Sequence, residues 1–119
     1  MQKPWLSQYA GVAEHIDLNR FNSIPAIFDS AFARFNDRPM AINMGKSLTY
    51  REFDQYSRDV AAWLQSLGLQ KGDRVAIMMP NCLQYLILVP AILRAGYAVT
   101  NINPLYTPAE LTHQLNDSG

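Results

Sequence analysis

The apolar residues Ile24, Ile27, Phe28, Ala31, Phe32 and Phe35 recur at steps of three and four, the period of one buried helix face. Ser23 before them and Pro25 in the first turn are a cap and a start, so the spacing predicts a helix over about Pro25–Phe35. Asn36-Asp37-Arg38-Pro39 breaks it. Met40–Asn43 and Lys46–Leu48 are short runs around Gly45, which predicts a small hairpin over Met40–Leu48. Thr49-Tyr50-Arg51-Glu52 has the form of a capping box, in which a threonine hydroxyl and a glutamate three residues on satisfy each other's backbone N–H. A helix over Tyr50–Leu67 should follow, with Phe53, Tyr56, Val60, Leu64 and Leu67 on its apolar face and Gly68 just past its end.

Beyond Gly68 the period changes. Lys71-Gly72-Asp73 is a turn signal, and Arg74–Met79 reads as a strand whose residues Val75 to Met79 are continuously apolar. Such a run predicts a strand covered on both faces, as parallel sheets require. An apolar helix over Cys82–Ala95 ends at Gly96, and Pro90 in its interior should kink it or free a carbonyl near Leu86. Tyr97–Ile102 is a second strand. Thr107-Pro108-Ala109-Glu110 is a second capping box, opening a helix over Pro108–Asn116 with Leu111 and Leu115 on its apolar face. Two strands joined by a helix form a βαβ unit, with parallel strands and a right-handed crossover. The expected fold class is therefore α/β: a small parallel sheet with flanking helices, occupying residues 23–119. Residues 1–22 show neither period and read as an extended arm. Its Trp5 and Tyr9 should dock on the chain's own domain or contact a second subunit.

Composition narrows the function classes. A chain of 119 residues, 49% apolar and 17% charged, can bury one modest core. Ten basic side chains balance ten acidic ones and form no basic stripe, which argues against nucleic acid or a strongly charged membrane surface as partner. The N-terminus carries Glu14 and Asp17 and lacks the apolar core of a signal peptide. The run from Tyr85 to Leu93 falls far short of the roughly 20 residues of a membrane span. Cys82 is the single cysteine and fits a reducing compartment, so the expected location is cytoplasmic.

The glycines form neither a dinucleotide fingerprint nor a P-loop, and there is no G-x-S-x-G elbow. His15 and His113 are isolated, without a second ligand at metal spacing. Cys82 sits at a helix start, where a thiolate would be favoured, although a small half-buried residue explains it as well. Asp54, Asp59 and Glu52 share a helix with Arg51 and Arg58 and read as a solvated charged face. Parallel sheets bind ligands beyond the carboxyl ends of their strands. Those ends are here Pro80-Asn81 and Asn101 to Tyr106, where asparagine amides could meet a ligand. Capping by Asn81 and turn closure by Asn103-Pro104 are the simpler roles. No catalytic, cofactor-binding or metal residue is assigned within the chain.

Taken in order, KGDRVAIMMPN, an apolar helix ending in LRAG, and NINPLYTPAELTHQLNDSG resemble the N-terminal region of adenylate-forming enzymes: acyl-CoA synthetases, luciferases and peptide-synthetase adenylation domains. The upstream LTYREFDQYSRDVAAWLQSLGL is similar to the helix that precedes that region. NPLYTPAELTHQLNDSG, together with the opening PWL, Tyr9, Ile16 and Phe21-Asn22-Ser23, resembles most the bacterial long-chain fatty-acid–CoA ligases.

The resemblance implies the first part of a large AMP-binding domain. It also implies a reaction in which a fatty acid and ATP, with Mg²⁺, give an acyl-adenylate that coenzyme A converts to acyl-CoA. The family's phosphate-gripping loop, adenine-binding segment and catalytic lysine have no counterpart in these residues. The segment is thus expected to bind none of ATP, Mg²⁺ or CoA and to be inactive alone, an N-terminal fragment whose substrates meet downstream regions. The resemblance further implies work at the inner face of the membrane. A non-catalytic binding or dimerisation module, paired through the arm or an open sheet edge, is the alternative, as is a ligase for another acid.

Overall fold

The protein is described here from a computed structural model covering residues 3–119; Met1 and Gln2, the first two residues of the expected arm, lie outside the described residues. A 3₁₀ turn over Pro4–Gln8 precedes α1 (Ile24–Phe35), β1 (Pro39–Asn43), β2 (Lys46–Thr49), α2 (Tyr50–Ser66), β3 (Arg74–Met78), α3 (Leu83–Arg94), β4 (Ala98–Ile102) and α4 (Pro108–Ser118). β1 and β2 form an antiparallel hairpin. β3 and β4 pair in parallel, in register from Arg74 opposite Ala98 to Met78 opposite Ile102. The α/β class and the βαβ unit are as the sequence predicts.

The helix ends follow from local chemistry. Ser23 Oγ accepts from the Ala26 N–H at 3.3 Å. In the first capping box the Thr49 N–H donates to Glu52 Oε2 at 2.7 Å and the Glu52 N–H donates to Thr49 Oγ1 at 3.2 Å. Thr107 and Glu110 repeat it, at 2.8 and 3.5 Å. Thr49→Ala is expected to lower stability by about 1 kcal/mol; an unchanged midpoint of urea unfolding would reject the cap. α3 closes with Gly96 at φ 94°. There the Gly96 N–H reaches the Leu93 carbonyl at 3.2 Å and the Tyr97 N–H reaches that of Ile92 at 3.0 Å, a paired arrangement that ties off two end carbonyls. Pro90 lies inside α3 without ending it, and its ring is fully buried.

Two apolar clusters form the interior. Phe32, Leu48, Phe53 and Leu83 join α1, the hairpin, α2 and α3. Leu64, Ile77, Ile92 and Tyr97 join α2, β3 and α3.

Several expectations are corrected. β3 is not covered on both faces: Ile77 is buried and Val75 half-buried, whereas Ala76 and Met78 face out. The inner residues of α2 are Phe53, Ser57, Ala61 and Leu64, so Tyr56 and Leu67 of the anticipated stripe are exposed. On α1 only Phe32 is buried, and on α4 nothing is. Among the described residues of the arm, the large apolar side chains Trp5, Tyr9, Val12, Ile16 and Leu18 are all exposed and do not dock on the chain's own domain. The Cα radius of gyration is 17.6 Å, against about 13.5 Å for a closed domain of this length. The apolar pattern calls for more burial than these residues provide for one another.

Candidate functional site

The carboxyl end of β3 is where a parallel sheet presents ligand contacts. A groove of about 190 Å³ lies there, between Ala41–Asn43 of the hairpin and the segment Asn81–Leu86 at the start of α3. Asn81 does not cap α3, correcting the sequence expectation: Cys82 occupies the N-cap with extended backbone and makes no side-chain cap bond. The helix begins one residue later than Asn81 could serve, which leaves the Asn81 amide on the groove wall. Cys82 is half-buried, its thiol 3.9 Å from Met79 Sδ.

Tyr85 donates its hydroxyl to Asn101 Oδ1 at 3.2 Å, tying α3 to the end of β4. Asn103 does close a turn: its Oδ1 accepts from the Leu105 N–H at 3.0 Å and its carbonyl from the Tyr106 N–H at 3.1 Å. This wall offers neutral amides, a phenol and apolar surface. It suits shape and hydrogen-bond contacts and has no cation with which to hold a phosphate chain.

The two histidines stay apart. His15 Nε2 lies 3.6 Å from Glu14 Oε1 on the exposed arm, and His113 lies with Tyr106 and Glu110 along a shallow depression on α4. Among the described residues no three His, Cys, Asp or Glu side chains approach closely enough to hold a metal ion.

The charged centre of the molecule is elsewhere, and the sequence reading missed it. Arg94, the only charged residue of α3, turns back between three helices, with its side chain 16% exposed. Its Nη1 donates to Ser57 Oγ at 2.9 Å and to the Asp54 carbonyl at 3.2 Å. Its Nη2 donates to Asp54 Oδ1 at 2.8 Å and to Asp29 Oδ1. The guanidinium also lies over the Phe32 ring, 5.5 Å from its centroid. Asp54 and Arg58 were expected to form a solvated face. Arg58 does, but Asp54 is drawn into this node. The one available signal was a lone cation in an otherwise apolar helix.

Burial alone would raise the Asp54 carboxyl. Hydrogen bonds from Arg58 and Arg94 outweigh it and hold the group below its ordinary 3.8. The Thr49 N–H and then its hydroxyl hold Glu52 below 4.5, and the Thr107 hydroxyl and then its N–H do the same for Glu110. A carboxylate depressed in the folded state contributes stability that is complete above its ordinary value and is lost as pH falls through the lowered one. The urea midpoint is therefore expected to be level from about pH 7 to about pH 5 and to drop below about pH 4. A rise over that acid range would contradict the three depressed groups.

Comparison with known proteins fits this geometry. The AMP-binding enzyme family matches residues 28–119, and the chain belongs to that family. Among relatives, it is 54% identical over its whole length to a long-chain-fatty-acid–CoA ligase of Yersinia pestis and 53% identical to that of Escherichia coli O6:H1, covering 22% of each. The chain thus spans about a fifth of the length of these curated relatives and matches their N-terminal part. The N-terminal subdomain of NpsA from Klebsiella oxytoca, solved in complex with 3-hydroxyanthranilyl-AMSN, superposes with a TM-score of 0.77 at 30% identity, over 81% of this chain and 25% of that one.

Proposed function

We propose that the chain is the N-terminal portion of a long-chain fatty-acid–CoA ligase. In the longer protein a fatty acid attacks the α-phosphorus of ATP, expelling pyrophosphate and forming an acyl-adenylate. The thiolate of coenzyme A then displaces AMP to give acyl-CoA, and Mg²⁺ offsets charge on the phosphate oxygens. The groups that grip nucleotide and complete catalysis lie outside these residues, so this segment supplies scaffold and binds none of the substrates by itself. Residues 1–22 serve as an arm and residues 23–119 as part of the AMP-binding domain. The enzyme works in the cytoplasm, peripherally at the inner face of the membrane, and self-associates through the exposed aromatics of the arm.

The observation that carries the reading is the 54% identity over the whole chain to a relative named for long-chain fatty acids.

Purified longer protein is expected to convert palmitate, ATP and coenzyme A to palmitoyl-CoA, AMP and pyrophosphate, while residues 1–119 alone release no pyrophosphate. Pyrophosphate release by the 119-residue chain, or activity of the longer protein on aromatic acids alone, would overturn the proposal.

A further inference from the structure

The hairpin turns on two residues, Met44 and Gly45, between the facing pair Asn43 and Lys46. Both take the left-handed region, at φ 49° and 80°. A two-residue turn with this backbone matches the twist of its strands and ordinarily holds Asn-Gly, Asp-Gly or Gly-Gly, because most side chains are strained there. Methionine at position 44 therefore carries a backbone cost. Packing does not offset it, since Met44 is 99% exposed. Neither the turn nor the core calls for this residue, and its thioether stands in solvent.

The other methionines of the described residues stand differently. Met40 packs against the cluster of Phe32, Leu48, Phe53 and Leu83. Met79 packs against that of Leu64, Ile77, Ile92 and Tyr97, and its Sδ accepts from the Cys82 thiol. Met78 lies on the outer side of β3, 41% exposed. Oxidation of a thioether requires the oxidant to reach sulfur. The polar sulfoxide then disrupts a packed core but is well solvated on a surface.

We propose that Met44 is a site of reversible oxidation by hydroperoxides, with a thiol-dependent methionine sulfoxide reductase as its partner. The Sδ lone pair attacks a peroxide oxygen. The O–O bond breaks, sulfur gives up two electrons, and the hydroxyl placed on sulfur passes its proton to the departing oxygen, which leaves as water or an alcohol. In the return step two thiols of the reductase take the oxygen off as water and close a disulfide. The oxidation turns the hairpin tip from apolar to polar, two residues from Ile42, which is 70% exposed and lines the groove at Asn81. Both apolar clusters are left intact.

The test treats the purified longer protein with dilute hydrogen peroxide and follows oxygen uptake at each methionine by fragmentation mass spectrometry, which separates Met40 from Met44. Met44 is expected to oxidise about tenfold faster than Met40 and Met79, and ahead of Met78. The urea midpoint should not move while Met44 alone carries the oxygen, and a sulfoxide reductase supplied with dithiothreitol should restore the thioether. Met44→Leu should remove the fast phase and leave the slower ones. Met44→Asn should remove it too and raise the urea midpoint, since asparagine suits the turn.

Three results would overturn the inference: oxidation of Met40, Met78 or Met79 at the rate of Met44 or before it, a midpoint that falls with oxidation at Met44 alone or with Met44→Asn, or a sulfoxide at Met44 that the reductase leaves in place. None is read through acyl-CoA formation, so a failure of the ligase reading is scored separately in the turnover assay.

Discussion

Replacing Arg94 by alanine is expected to cost about 3 kcal/mol of folding free energy, the low end of what removing one partner of a buried charge cluster does. The guanidinium serves four acceptor atoms at once, on the three residues Asp54, Ser57 and Asp29, each on a different helix from Arg94 itself. Ser57 is 0% exposed, so its hydroxyl, which also donates to the Asp54 carbonyl at 3.0 Å, is left without its second partner in a place water does not reach. Asp29 and Asp54 are 55% and 27% exposed and regain some hydration, which is why the higher end of the range does not apply.

Arg94→Lys keeps the charge but not the planar fork, and about half the loss should remain. The cost should also be insensitive to 0.5 M salt, because the side chain is largely shielded. A loss below about 1 kcal/mol in urea melts would reduce the node to an ordinary surface pair.

Phe53→Ala is expected to cost about 4 kcal/mol. Phe53 is 0% exposed and packs with Phe32, Leu48 and Leu83, the point where α1, the hairpin, α2 and α3 meet. No neighbouring side chain is free to collapse into the space, since each is held by a separate element. Against a total stability of about 5–15 kcal/mol for ordinary domains, the expected reading is loss of the near-ultraviolet dichroism signal and of a cooperative transition. Phe53→Leu, which retains most of the volume, should cost under about 1.5 kcal/mol. Phe32 touches both sites, packing in the cluster and lying under Arg94. The Arg94→Ala and Phe53→Leu losses should therefore fall short of adding, by about 0.5 kcal/mol or more. Strict additivity would show the two sites to be independent.

The elements were legible because their causes are local. Thr49 and Glu52, or Thr107 and Glu110, are three residues apart. A capping box needs nothing beyond its own turn, and a helical apolar period is visible within a dozen residues. The cap of α3 was misplaced because Asn81 and Cys82 both follow a strand end, and which of them takes the extended conformation depends on how β3 delivers the chain to the helix. The stripe on α2 was read one step round. A serine at position 57 carries no apolar signal, and its burial depends on an arginine 37 residues away.

The candidate site was legible only as a location. The rule for parallel sheets pointed to the carboxyl ends of β3 and β4, and the groove beside Asn81 is there. Its other wall, Ala41–Asn43, comes from a hairpin that no pattern in the α3 region announces.

The sequence by itself determined the order of the elements, their caps and their membership of an α/β unit, because propensity, capping and short-range periodicity are settled within a few turns of chain. Only the tertiary structure decided that Arg94 binds acceptors 40 and 65 residues away, and that, among the described residues, β3 pairs with β4 alone and leaves Ala76 and Met78 exposed. Those features depend on how separate elements come together in space, and a side chain's sequence neighbours carry no record of that.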